Sequence, residues 1–372
     1  MRKLKHMKIL AVLILFFGGF LTFFYQYSID QRFRVLVFWC GLDNILLNSD
    51  GWLNGTLEPS DDYVVPNIAH FTWLYCRDFS FIHLLSMVSV YKVMQPERIL
   101  FHTNCEPEGR WWNEVKLIPT LEIKYIEPPV RVFDQELNLN WPEHQSDIAR
   151  IEVLLKYGGV YFDPDIFVVQ PLDPLRKYDY VVGREDGYML NNGIIMTAVN
   201  STFLRLFYES YRNYRRRCFN CNSIIQQHNL AEKYSHLIHI ENYSMQHPDN
   251  LHWKLLFYGK FPWKEGHYTF HIWMGAYRIW SWIGAPRQQG GEWIREFSPE
   301  NIKQLDSSFG EMCRFIYYGN SSIIPEEAEA PKPWWLAVRE QIHGQVLPTP
   351  PKAKSKPLKF RKKFSKKALR EN

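Results

Sequence analysis

Hydrophobic and polar positions divide this chain into three stretches of different character. Residues 9–27 form an unbroken charge-free run preceded by Arg2, Lys3, Lys5 and Lys8. About 19 apolar residues suffice for a helix to cross a bilayer. The basic flank puts residues 1–8 in the cytosol and the remainder on the far side. The alternative, a cleaved signal peptide, fits less well. The run outlasts an ordinary signal core, and Phe23-Phe24-Tyr25-Gln26-Tyr27 is not a small-residue cleavage site. Residues 28–62 carry Asn, Ser, Gly and the acidic pair Asp61-Asp62 and read as a stem.

From residue 63 the period alternates between strand and helix. Residues 64–71, 98–102 and 121–126 predict strands. Residues 79–94 predict a helix with Phe81, Leu84, Leu85, Val88 and Tyr91 near one face, and 111–118 a short one. The best-marked helix spans 140–157. Asn140 is its expected cap, Pro142 sits in its first turn and Glu143 follows the cap by three. Ile148, Ile151, Leu154 and Leu155 make its apolar stripe, and Gly158-Gly159 ends it. Strands at 160–162 and 166–169 flank Asp163-Pro164-Asp165, and 180–183 predicts another. Strands alternating with helices predict an α/β domain over 63–345, with a mixed, mainly parallel sheet and helices on both faces.

The third stretch, 346–372, has no apolar period. Residues 352–372 hold ten Lys/Arg and one acid, so they carry more than the whole chain's net charge of +5. This tail reads as disordered. The luminal address argues against a nucleic-acid arm, and a solvated tail touching anionic lipid or glycan, or one without function, is the simpler reading. Sequons at Asn54, Asn200, Asn242 and Asn320 agree with that address. Six cysteines (Cys40, Cys76, Cys105, Cys218, Cys221 and Cys313) suffice for three disulfides in an oxidising lumen. Cys218 and Cys221 read as a local loop disulfide. Aromatic residues reach 16% with 14 Trp, enough for a well-filled core or for sugar-facing surfaces.

Asp163-Pro164-Asp165 carries the chemistry. It follows an apolar strand in an α/β pattern, where ligands gather at the carboxyl ends of strands. Two carboxylates on one tight turn suit Mn²⁺ or Mg²⁺. The simplest task for such an ion is to neutralise a leaving diphosphate. Asp147 and Arg150, three apart, lie side by side on the preceding helix, where a surface ion pair is the plain alternative.

The Ser146-Asp147-x-x-Arg150 helix, the Gly158-Gly159-Val160-Tyr161 strand and the Asp-Pro-Asp turn together resemble the DXD-containing glycosyltransferase family. That family includes the yeast initiating α-1,6-mannosyltransferase and the vertebrate α-1,4-galactosyl- and α-1,4-N-acetylglucosaminyltransferases. The match is densest over 144–175. It extends more weakly to Pro66-Asn67-Ile68-Ala69-His70-Phe71-Thr72-Trp73, Phe101-His102-Thr103-Asn104, Asn191-Asn192-Gly193 and His271-Ile272-Trp273. The resemblance implies a GT-A-like, Rossmann-type fold, a divalent metal, a nucleotide-sugar donor, a glycan or glycolipid acceptor and retention of anomeric configuration. It implies that Asp163 and Asp165 are catalytic and bind the metal, with His271 as a third ligand. It implies that Asp147, Arg150, Asn192, Thr72 and Trp73 bind the donor. Retention requires either a nucleophilic carboxylate, for which Glu185 and Asp186 lie in the right region, or same-face attack. The address implied is a single-pass type II Golgi membrane protein. Three other readings compete: a nucleotide-sugar hydrolase, a lectin-like or chaperone-like relative without turnover, and an interaction protein working through the basic tail.

Overall fold

The computed structural model describes residues 55–185, 189–245, 256–257, 259–272, 297–329, 331 and 333–335. The apolar run at 9–27, the stem before residue 55, Asp186, Trp273 and the basic tail lie outside the described residues. Among the described residues no helix is long and apolar enough to cross a membrane.

Strands β1 (Ile68–Trp73), β2 (Arg98–Thr103) and β3 (Leu121–Tyr125) pair in parallel in that order. A small ribbon of β4 (Arg131–Val132) and β5 (Gln135–Glu136) follows. Strand β6 (Gly159–Phe162) then pairs in parallel with the opposite side of β1. The chain therefore builds outward from β1 in one direction and resumes beside β1 in the other. That reversal is a switch point, where strand ends open a crevice. Strand β7 (Ile166–Val168) leaves the main sheet. Strands β8 (Tyr180–Glu185) and β9 (Met189–Thr197) form an antiparallel pair, and β9 also runs antiparallel to β6. Only three residues separate β8 from β9, too few for a parallel crossover. Strand β10 (His239–Glu241) pairs in parallel with β8, completing the order β10-β8-β9-β6-β1-β2-β3. Strand β11 (Thr269–His271) pairs antiparallel with β7.

Alternation along the strands sends side chains to two cores. Phe71, Trp73, Phe101 and Phe162 join one apolar cluster with helices α1 (Phe81–Ser89) and α2 (Arg110–Val115). Tyr161, Val182 and Ile195 join a second beneath α3 (Pro142–Tyr157) and α4 (Thr202–Ser210). Helices α5 (Gln226–Lys233), α6 (Pro299–Ile302) and α7 (Ser308–Tyr318) complete the α-helices among the described residues, and α7 packs on α1. The mixed, mainly parallel sheet with helices on both faces matches the expectation.

Helix α3 is where sequence and structure differ instructively. Its cap is Trp141, not Asn140, because Pro142 occupies the first helical position. Asn140 instead donates its N–H to Asn138 Oδ1, 3.2 Å away. Gly158 and Gly159 do end the helix, both with positive φ (61° and 97°). At Gly159 a Cβ would lie 2.4 Å from the Ile68 carbonyl oxygen, so the close approach of β6 to β1 requires glycine. Asp147 and Arg150 are not surface groups: they are 7% and 6% exposed and face the crevice beside β6.

Two disulfides are present among the described residues. Cys218–Cys221 is the expected local bridge, and Cys76–Cys105 ties the segment after β1 to the segment after β2. Cys313 is a buried free thiol, and Cys40 lies outside the described residues.

Candidate functional site

The site is built at the carboxyl ends of β1 and β6, closed by the N-terminal half of α3 and the start of β9. Asp163 leaves β6 directly, and its N–H donates to the Gly193 carbonyl at 2.6 Å. Its side chain is met from two sides. Tyr161 Oη donates to Asp163 Oδ1 at 2.8 Å, and Arg150 Nη1 lies 3.3 Å from the same oxygen. Tyr161 and Asp163 are two apart and share a face of the chain. Arg150 also reaches Asp147 Oδ1 at 3.4 Å, donates to the Asn192 carbonyl and stacks over the Tyr161 ring at 4.6 Å. Asn192 Nδ2 donates to Asp147 Oδ1 at 2.8 Å. A carboxylate only accepts, so that bond fixes which end of the Asn192 amide is nitrogen. Its Oδ1 is then a buried acceptor with no hydrogen-bond partner.

Asp165 and His271 meet from distant parts of the sequence. The β7–β11 pairing sets His271 opposite Ile166, and His271 Nε2 lies 3.1 Å from Asp165 Oδ1. Gly193 sits beside Asp163 and His271. A Cβ there would come within 2.9 Å of both Asp163 Oδ2 and His271 Cε1. The missing side chain lets Asn191, Asp163 and His271 approach the backbone there.

Electrostatics follow from burial. Burial raises the Asp147 pKa, opposed by Arg150 and reinforced by Asp163. Burial works to lower the Arg150 pKa, but Asp163, Tyr161 and Asp147 outweigh it and the guanidinium is held firmly charged. Burial raises the Tyr161 pKa, so its hydroxyl keeps its proton and remains a donor. His83 on α1 is lowered to about 4 by burial, with Asp165 pulling upward and Arg77 downward.

The donor set suits a hard divalent cation: carboxylate oxygens joined by one imidazole. Among the described residues no group of three or more His, Cys, Asp or Glu forms a ready-made metal cage. Ions of the Mg²⁺ kind need none, because one or two carboxylates and the substrate's phosphates complete their shell. The residues present therefore fit such an ion.

Residues 92–182 match the family model described as a glycosyltransferase sugar-binding region containing a DXD motif. The chain carries the sugar-binding region of the DXD-containing glycosyltransferases. It is 24% identical over 265 residues to Glucan organizing enzyme 1 of Cryptococcus neoformans, covering 67% of this chain and 66% of that protein. It is 34% identical over 76 residues to Inositol phosphoceramide mannosyltransferase 3 of Schizosaccharomyces pombe, covering 20% of each. The chain thus spans less than two thirds of either curated relative. Among solved structures it is similar to the galactosyltransferase LgtC with donor and acceptor sugar analogs, at 14% identity and a TM-score of 0.35, over 62% of this chain and all of that one.

Of the residues named from sequence, Asp147, Arg150, Asp163 and Asn192 are joined in one network of the DXD region, and Asp165 pairs with His271. Thr72 enters that network through its hydroxyl, which bonds Tyr161 and Ser146. Trp73 points to the other face of the sheet, 2% exposed among Phe79, His83 and Phe101, and its indole nitrogen has no hydrogen-bond partner. Tyr161, Ser146 and His83 were not singled out as site residues from sequence. The first two stand inside the motif itself, and the strand period places Tyr161 on the Asp163 face.

A second polar cluster lies on the same sheet face, under the carboxyl half of α3. His70 Nε2 is 2.8 Å from the Gly158 carbonyl and His70 Nδ1 is 3.0 Å from His102 Nε2. A carbonyl only accepts, so His70 carries its proton on Nε2, and His102 donates to it. A cleft of about 430 Å³ opens beside His102, with Lys124, Tyr125, Lys156 and Tyr157 in its walls. None of the DXD aspartates lines it.

Proposed function

We propose that this protein is a retaining, metal-dependent glycosyltransferase that moves a hexose from a UDP- or GDP-linked donor to a glycan or glycolipid hydroxyl. The observation that carries this reading is the convergence of Asp147, Arg150, Asp163 and Asn192 with the Asp165–His271 pair at one switch-point crevice. As the bond from the anomeric carbon breaks, negative charge grows on the leaving diphosphate, and groups already placed to meet it lower the barrier. Asp165, with Asp163 and His271, would hold a divalent cation, which when bound supplies that positive charge. Arg150 holds Asp147 and Asp163 apart in fixed orientations. Asn192 Oδ1, buried and unpartnered, accepts a hydrogen bond from a donor-sugar hydroxyl. A buried acceptor left empty costs about 1–3 kcal/mol, which a bound hydroxyl recovers. The resemblance implies retention, by a nucleophilic carboxylate or by same-face attack, in which the leaving diphosphate would accept the acceptor's proton.

The sheet supports a GT-A-like fold. A relative named an inositol phosphoceramide mannosyltransferase supports a glycolipid acceptor. The two disulfides and the apolar run at 9–27 support a type II protein of the Golgi membrane with residues 63–345 in the lumen.

Nucleotide release from a panel of UDP- and GDP-sugars tests this reading, using the purified full-length chain with Mn²⁺. One donor should be turned over, and Asp165→Asn should lower that rate by more than about 100-fold. Adding glycan and glycolipid acceptors then separates transfer from hydrolysis. A well-folded protein that neither binds nor cleaves any donor would be a non-enzymatic relative instead.

A further inference from the structure

The hydroxyls around Asp163 have a direction. Asp163 accepts from Tyr161 Oη at 2.8 Å, which uses the only proton that hydroxyl has. The Tyr161 oxygen therefore accepts from Thr72 Oγ1, 3.0 Å away. Thr72 has then spent its own proton, so it accepts from Ser146 Oγ at 2.9 Å. Ser146 in turn accepts from Arg150 Nη2 at 3.3 Å. Arg150 closes the ring, with its Nη1 3.3 Å from the starting Asp163 oxygen. Every donor in the ring is committed, and a reversal at any link would leave two protons facing each other. The ring is well enclosed: Thr72 is 3% exposed and Tyr161 0%.

We propose that Ser146, Thr72 and Tyr161 are positioning residues that decide which oxygen of Asp163 is offered to the ligand. The ring saturates Oδ1 with Tyr161 and Arg150. It leaves Oδ2 on the side of Gly193, where the lack of a Cβ lets Oδ2 and the His271 ring come close to the backbone. Thr72 thereby changes role: its hydroxyl points its proton into the protein and has none to give a donor sugar. This inference rests on the glycosyltransferase reading only for what Oδ2 binds, and the ring itself stands on geometry.

Thr72 allows a clean test, because its two near-isosteric replacements move in opposite directions. Val keeps the shape and loses the hydroxyl; Ser keeps the hydroxyl and loses a methyl. Mn²⁺–UDP and Mn²⁺–GDP binding by calorimetry, donor turnover and melting temperature are measured for both variants and for Tyr161→Phe. Thr72→Val and Tyr161→Phe should each weaken turnover or nucleotide binding about 10–100-fold, with Thr72→Ser restoring most of it. Thr72→Val should also melt at least about 2 °C below Thr72→Ser, a readout independent of activity. The opposite order, Val near wild type and Ser impaired, would mean that Thr72 only packs, and overturns the proposal. Loss of turnover in Asp163→Asn with wild-type behaviour in Thr72→Val and Tyr161→Phe overturns the ring while the function stands. A protein without any donor activity overturns the function, and the order of the two Thr72 melting temperatures then decides the ring.

Discussion

Two polar clusters share one face of the sheet beneath α3, and they solve burial in opposite ways. The His70–His102 pair sheds its charge. Burial lowers His70 to about 3 and His102 to about 4, with neighbouring cations adding to the effect. His102 donates to His70, and His70 in turn donates to the Gly158 carbonyl, so the chain of bonds ends on the backbone. The Asp147–Arg150–Asp163 cluster one strand over keeps a charged guanidinium between its two carboxyl groups, and it keeps Asn192 Oδ1 without a partner. Neutral imidazoles are the cheap way to bury polarity between helix and sheet; retained charge beside an open acceptor is the costly one. The costly arrangement stands where the strand order reverses, and this difference separates a scaffold element from a site.

The largest effect that would sharpen the contrast is Arg150→Ala. Removing the one guanidinium leaves Asp147 and Asp163 facing each other in a buried site. Stability should fall by about 3–5 kcal/mol in denaturant titration. A loss under about 1 kcal/mol would mean the cluster is wetter than its burial indicates.

Acid should act on the other cluster. Both histidines have folded pKa values below the unfolded 6.5, so the unfolded chain binds more protons once the pH drops below that value. Their contribution is complete above about pH 6.5 and is lost as the pH falls toward 4, at up to about 1.4 kcal/mol per pH unit for each ring. His83 contributes in the same direction, so the useful quantity is a difference. The double variant His70→Phe/His102→Leu should show a flatter decline than wild type between pH 6.5 and 5. Parallel curves would assign the acid sensitivity elsewhere.

Asn192→Ala should cost about 1 kcal/mol in stability, because Asp147 loses one donor but keeps Arg150. Donor KM should rise by more than the stability change alone explains, since the free acceptor is lost with it. An unchanged KM would remove Asn192 from the donor site. The smallest effect is expected at Arg212, whose pairing with Glu209 is solvent-exposed on the surface. Arg212→Ala should leave the melting temperature unchanged within error, marking what an ion pair of the same spacing is worth outside a buried site.

Much of this was legible beforehand. The strands around residues 68, 98, 121, 160 and 166 and the end of α3 at Gly158-Gly159 follow from local apolar period and glycine chemistry. Asp163, Asp165, Asp147 and Arg150 were legible as a motif. Their mutual contacts were less so: the i,i+3 spacing of Asp147 and Arg150 fits an exposed helix pair equally well. The capping residue was misread, because Asn140 has the right side chain but Pro142 sets the first turn one residue later. The Cys76–Cys105 bridge was beyond reach, since its ends meet only because β1 and β2 pair in register.

What the sequence determined by itself is what depends on neighbours a few residues apart. That covers where the chain turns, which face of each strand is apolar, and the carboxylates closing β6. Tertiary structure decided the antiparallel insertion of β9, the meeting of His271 with Asp165 across about a hundred residues, and the burial of Asp147 and Arg150. It also decided that Thr72, Ser146 and Tyr161 form one ring. Such features depend on which side of β1 the chain returns to, and that choice is settled by packing summed over the whole sheet rather than by any local pattern.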